Sequence, residues 1–139
     1  MIQRYLLDTN AVIYLVSGRL ALPLPDGRYS ISIITEIELL SFAGISAEEE
    51  QRIRDLLLLL DRVQLTDAVR DEAINLRRKN RLKLPDAIIA ASAPTHDAIL
   101  LTNDRAFTSK DGLSLESLKL SRNFCVVVQR QQEYRSCLN

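Results

Sequence analysis

The chain has 139 residues, 47% hydrophobic and 26% charged, with Lys+Arg and Asp+Glu balanced at 18 each. That length suits one domain with a core of its own. The zero net charge rules out a general electrostatic attraction to nucleic acid, so a polyanion would need a local basic patch or bound metal ions. Cys125 and Cys137 lack metal-ligand spacing and point to a reducing compartment rather than a disulfide framework. Met1–Arg4 runs straight into a candidate strand, which leaves no room for a signal peptide, and no apolar run reaches membrane-spanning length. A cytoplasmic protein is expected.

Residues 4–8 read as a buried strand handing over to a helix at about 10–17, with Thr9 or Asn10 available as N-cap and Gly18 suited to the helix end. Leu22–Gly27 is turn chemistry, and 29–33 alternates with period two as a short strand. Thr35–Leu40 carries Glu38, three residues after a threonine that fits a capping box. Ser46-Ala47-Glu48-Glu49 fits another and opens a helix whose Ile53, Leu56, Leu57 and Leu60 form one stripe. The five leucines 56–60 exceed one stripe, so both sides of that helix are expected to be covered, by core in the main reading and in part by an oligomer face in the alternative. Val63–Leu65 reads as a strand, and Thr66 caps a helix to about Lys79 with Val69, Ala73 and Leu76 inward. Pro85 begins a helix from Asp86 to about Ser92, limited by Pro94. Residues 98–101 form a second buried strand ending in Thr102-Asn103-Asp104. Residues 108–123 are weakly patterned, 124–128 read as the last strand, and 129–139 is a polar tail. Strands alternating with helices predict a three-layer α/β/α fold with a mainly parallel central sheet, one domain spanning 1–128.

Parallel strands carry their carboxyl tips, and the starts of the helices that follow, to one sheet edge. Asp8 and Asp104 end strands, while Glu38 and Asp86 are read at helix starts, so all four acids are expected at one cleft. Three have ordinary alternatives: a capping-box role for Glu38, a helix-dipole role for Asp86 and an Asx turn for Asp104. Asp8 does not, because a carboxylate ending an apolar strand needs a partner to stay charged. Acids gathered without His or Cys suit Mg²⁺ or Mn²⁺ and are poor for Zn²⁺; the single His96 cannot build an imidazole site.

The ordered set Leu6-Leu7-Asp8-Thr9-Asn10, Thr35-x-x-Glu38-Leu39, Leu84-Pro85-Asp86-Ala87-Ile88-Ile89-Ala90-Ala91 and Leu101-Thr102-Asn103-Asp104-x-x-Phe107 resembles a PIN-domain ribonuclease, most closely the compact VapC-type toxins of toxin–antitoxin pairs. The resemblance covers about residues 4–107. It implies RNA phosphodiester cleavage dependent on Mg²⁺ or Mn²⁺, with Asp8, Glu38, Asp86 and Asp104 as catalytic acids. Asp8, Asp86 and Asp104 are expected to hold the metal, with Glu38 as a further ligand or as the residue orienting the attacking water. Thr9, Asn10, Thr102 and Asn103 are expected to hold those carboxylates by hydrogen bonds. It further implies a small cognate antitoxin protein and a homodimer. Arg77, Arg78, Lys79, Arg81 and Lys83 form the densest basic cluster and lead directly to Asp86, as candidate RNA-binding residues or as a solvated helix end.

Pro94 and the long 108–123 segment depart from the simplest members. Two other functions stay open: a metal-dependent nuclease or phosphatase with a non-RNA substrate, and a non-catalytic RNA- or protein-binding module. No Gly-rich loop follows the first strand, which disfavours a dinucleotide-binding domain.

Overall fold

A computed structural model describes residues 2–107 and 113–121. The order is β1 (Arg4–Leu7), α1 (Thr9–Val16), β2 (Arg28–Ser32), α2 (Ile33–Leu40), α3 (Ala47–Leu57), β3 (Asp61–Val63), α4 (Asp67–Lys79), α5 (Leu84–Ser92), a 3-10 turn (Pro94–His96), β4 (Ile99–Leu101) and β5 (Leu115–Glu116). The five strands form one sheet in the order β3-β2-β1-β4-β5, and every pairing is parallel. Strand order reverses between β1 and β4, so the crevice at their carboxyl ends is the topological switch point, where such sheets bind ligands.

Period-two alternation divides the sheet between two cores. Leu6 and Leu100 face a cluster built on α4 and α5, with Val69, Ala73, Leu76 and Ile89. Tyr5, Leu7, Ile31 and Leu101 face the other way, against Val12, Ile13, Ile53 and Leu57. Each fully buried Leu or Ile here stabilises the fold by about 1.5–3 kcal/mol relative to exposure. This is the expected α/β/α sandwich, and β1 at its centre is apolar on both faces.

Several boundaries move, each for a local reason. Asp8 itself, rather than Thr9 or Asn10, is the N-cap of α1: its Oδ1 accepts from the Ala11 amide at 2.7 Å. At the helix end Gly18 has φ +68°, the left-handed geometry that glycine adopts cheaply. Ser32 caps α2 by accepting from Ile34 N at 3.1 Å, so Thr35 sits inside the helix and Glu38 lies a turn beyond its start; the capping-box reading of that pair is corrected. Ser46 and Thr66 cap α3 and α4 as expected, accepting from Glu49 N and Val69 N. The leucine run does not continue α3: the helix ends at Leu57, and Leu58 and Leu59 are each 80% exposed in the following turn. β3 is Asp61–Val63, two residues earlier than its pattern suggests, because Arg28–Asp61 (3.3 Å) and Arg62–Glu36 (2.9 Å) ion pairs accommodate charged residues in this outer strand. β5 arises inside the weakly patterned 108–123 segment. The expected strand 124–128, the tail 129–139 and both cysteines lie outside the described residues. No helix among the described residues is long and apolar enough to cross a membrane.

Candidate active site

Asp8 leaves β1 and caps α1 in one step, which buries its carboxylate to 3% exposure at the switch point. Each of its oxygens has a donor. The Ala11 amide bonds Oδ1, and the Thr102 hydroxyl, arriving from the end of β4, makes a short bond to Oδ2. Because the Thr102 proton is committed to Asp8, its oxygen is free to accept, and the Asp104 amide donates to it at 3.0 Å. A chain of bonds thus runs from the Asp104 backbone through Thr102 to Asp8. Asp104 also accepts from Ala106 N at 2.9 Å, so the Asx-turn reading of this acid is observed.

A second hydroxyl chain sits on the other side. Thr9 donates to Glu38 Oε1 at 2.9 Å, and its oxygen lies 3.1 Å from the Thr35 hydroxyl. With the Thr9 proton spent on Glu38, Thr35 must be the donor between the two threonines. Thr35 is fully buried and was not among the candidates, because its spacing to Glu38 had a sufficient explanation as a cap. Its place on the inward face of α2, opposite Thr9, is a tertiary fact.

Asn103 does not touch the acids. It clamps the chain after β5 at two points, donating to Leu118 O (2.9 Å) and accepting from Leu118 N (2.7 Å), and so pins the turn that carries Thr102 and Asp104. Asn10 is half-buried in the first turn of α1 and makes no side-chain hydrogen bond to a described residue, so its expected supporting role is not observed.

The acids act on one another electrostatically, which reports that they lie near each other. Burial pushes the Asp8 carboxyl up to about 6, against the Thr102 and Ala11 bonds that lower it, and the charges of Asp104 and Asp86 push it further. Glu38 is raised by burial, eased by the Thr9 bond and raised again by Asp86. Asp86, in the first turn of α5, is raised by burial and by Asp104, and lowered by Lys83. Groups that shift one another in this way share a cleft. None of the four is in an ion pair with a described residue at contact distance.

An all-carboxylate donor set with hydroxyl support is the chemistry a hard divalent cation takes, and such a cation would relieve their repulsion. As the side chains stand, no three acidic, thiol or imidazole groups among the described residues are gathered closely enough to hold an ion. The donor types fit; the site is not a preformed cage.

Beside Asp86 runs an open groove of about 550 Å³ lined by Arg77, Arg78, Asn80, Arg81 and Lys83. Arg77, Arg78 and Lys79 form the last turn of α4, where cations complement the helix dipole. Arg77 also donates to Leu82 O at 3.3 Å, which gives it a structural task, and Lys79 does not line the groove.

An all-parallel sheet layered between helices, with acids at the carboxyl ends of its central strands, defines the fold class. Within it, the family model described as the PIN domain matches residues 5–113, and the chain belongs to that family. Ribonuclease VapC1 of Haemophilus influenzae (strain R2866) is 40% identical over 68 residues, 44% of this chain and 51% of that relative. The chain thus spans about half the length of the curated relatives it matches. A toxin–antitoxin complex from Klebsiella pneumoniae superposes with a TM-score of 0.66 at 34% identity, covering 78% of this chain and 94% of that one. VapBC2 from Rickettsia felis, bound to a DNA fragment from its promoter, gives 0.69 at 21% identity over 83% and 98%, a likeness of fold.

Proposed function

We propose that this protein is a Mg²⁺- or Mn²⁺-dependent endoribonuclease, the toxin component of a toxin–antitoxin pair, acting in the cytoplasm. The observation that carries the reading is Asp8: buried, raised by its acidic neighbours, and held at both oxygens by bonds that fix its direction. Ordinary folding has no use for four mutually repelling acids at one crevice. Family membership and the likeness to Ribonuclease VapC1 support RNA as substrate, and the likeness to toxin–antitoxin complexes supports a small antitoxin partner.

Asp8, Asp86 and Asp104 would hold the ion, with Glu38 as a further ligand or as the base side of the attacking water. When bound, the cation supplies Lewis-acid charge to the phosphodiester. The chain's own part is positioning. Thr102 fixes the plane of Asp8 and couples it to the Asp104 turn, while Thr9, braced by Thr35, aims Glu38. Burial raises the Glu38 carboxyl, which makes it a stronger base toward a water proton than an exposed glutamate. Arg78, Arg81 and Lys83 provide phosphate contacts leading to Asp86, a local basic strip in a chain of zero net charge. The exposed Leu58–Leu59 turn supports a homodimer surface.

The test compares wild-type and Asp8→Asn protein on RNA, DNA and a chromogenic phosphate monoester in Mg²⁺ and in EDTA. RNA cleavage that needs metal and disappears in the variant is expected. Cleavage of DNA or the monoester alone would move the substrate, and unchanged activity in Asp8→Asn would overturn the site.

A further inference from the structure

The opposite edge of the sheet holds a second, differently charged site. Arg4 and Arg28 begin neighbouring strands in register, side by side, with Ser30 next along β2. Asp61 and Arg62 from β3 and His96 from the 3-10 turn complete a pocket of about 220 Å³. It lies at the amino ends of the strands, about 13 Å from Asp8 at roughly 3.3 Å per residue.

Most charge here is already matched: Arg28 with Asp61 at 3.3 Å, Arg62 with Glu36 at 2.9 Å. The guanidinium of Arg4 makes no ion pair or hydrogen bond with a described residue, although it stands beside another arginine, an arrangement that repels unless an anion bridges it. His96 adds a directed nitrogen. The Thr95 hydroxyl gives its proton to a backbone carbonyl, Ala91 O at 2.9 Å, so at 3.0 Å it accepts from His96 Nδ1–H. Nε2 is then the ring nitrogen left for the pocket, without a partner among the described residues.

We propose that this pocket binds a phosphate group, that of inorganic phosphate or of a nucleoside monophosphate, at a site separate from the acidic cleft. Arg4 supplies a charge unmatched among the described residues and a fork suited to phosphate oxygens, Arg28 the second cation, and the His96 ring a third group lining the same pocket. The volume admits a phosphoryl group with part of a sugar but is small for a larger ligand. The Asp61 carboxylate, held by Arg28, opposes the anion and limits its affinity.

His96 is the only histidine in the chain, so its ring gives one unambiguous NMR signal. The tag-free protein is titrated in EDTA, at constant pH and ionic strength, with sodium phosphate, adenosine monophosphate or sodium chloride. A saturable movement of the His96 ring signal with phosphate and not with chloride, weakened about tenfold in Arg4→Gln, is the expected result. Tighter binding of the monophosphate identifies a nucleotide ligand; equal binding identifies the phosphate group alone. No saturable movement in the wild type, an equal response to chloride, or an unchanged affinity in Arg4→Gln overturns the site. Because metal is absent and the cleft acids are not touched, the outcome is independent of RNA cleavage.

Discussion

The two edges of this sheet treat charge in opposite ways. Towards the amino edge and along β3, Arg28 meets Asp61 and Arg62 meets Glu36, so that, Arg4 apart, opposite charges are matched within the protein. At the carboxyl edge Asp8, Glu38 and Asp86 are all raised by burial and by acidic neighbours; hydroxyls support Asp8 and Glu38, and only Asp86 is eased by a cation, Lys83. A hydroxyl fixes direction without neutralising. The carboxyl edge is therefore ordered in geometry and unfinished in charge, the state in which an added cation has most to offer.

The sharpest way to break this contrast is Asp8→Asn. RNA cleavage in Mn²⁺ should fall about 10³-fold, the scale of losing one essential electrostatic contact in a dry site, measured under single-turnover conditions. The same variant should change how the stability of the metal-free fold depends on pH. The Asp8 carboxyl is raised from 3.8 to about 6 in the folded state, so the folded protein binds the proton more tightly than the unfolded chain. Its contribution to stability is therefore full below pH 4, is lost as pH rises through 6, and amounts to about 3 kcal/mol. Asparagine caps a helix as well as aspartate does but cannot accept from Thr102 with its nitrogen, so the signature is the pH dependence: urea unfolding in EDTA should show Asp8→Asn gaining stability relative to wild type between pH 4 and pH 7.5. An equal difference at both would mean that the burial of Asp8 is already compensated.

Removing the hydroxyl supports tests geometry separately from charge. Thr102→Val deletes the donor to Asp8 and the acceptor for the Asp104 amide, and should lower cleavage by about 10–100-fold, with Thr102→Ser recovering most of it. Thr9→Val should act through Glu38 by a similar or smaller factor, with the metal requirement retained. Arg78→Glu with Arg81→Glu should weaken RNA binding and flatten its salt dependence by about two ions, leaving the rate at saturating RNA nearly unchanged. The smallest effect is expected away from both edges. Gly18→Ala meets no neighbouring atom but must adopt φ +68°, so thermal unfolding should report a loss of about 1 kcal/mol with activity intact.

Much of this was legible in the residues because local and tertiary signals agreed. Thr66 followed by Val69, Ala73 and Leu76 fixes both the start and the buried face of α4. The apolar runs ending in Asp8 and Thr102–Asp104 gave the two central strands and the edge where their acids meet. What was not legible depended on partners distant in sequence. β5 is two residues long and exists through pairing with Leu100 and Leu101. β3 carries Asp61 and Arg62, which read as loop until Arg28 and Glu36 are beside them. Thr35 has the spacing of a cap to Glu38, but Ser32, still the last residue of β2, is the one that caps the helix. Asn103 was expected to support the acids directly, whereas it holds the loop of Leu118, a contact that no local spacing announces.

The cap at Asp8 also bears on how such a domain can change over generations. A single-base substitution to asparagine keeps the bond to the Ala11 amide, keeps the strand-to-helix turn and relieves a buried negative charge. If Asp8 is the central acid proposed above, its loss forfeits the Thr102 bond but relieves the buried charge, and so costs the scaffold little. A lineage released from selection for cleavage should retain this architecture while its central acid drifts to amide, yielding durable, silent copies of the domain.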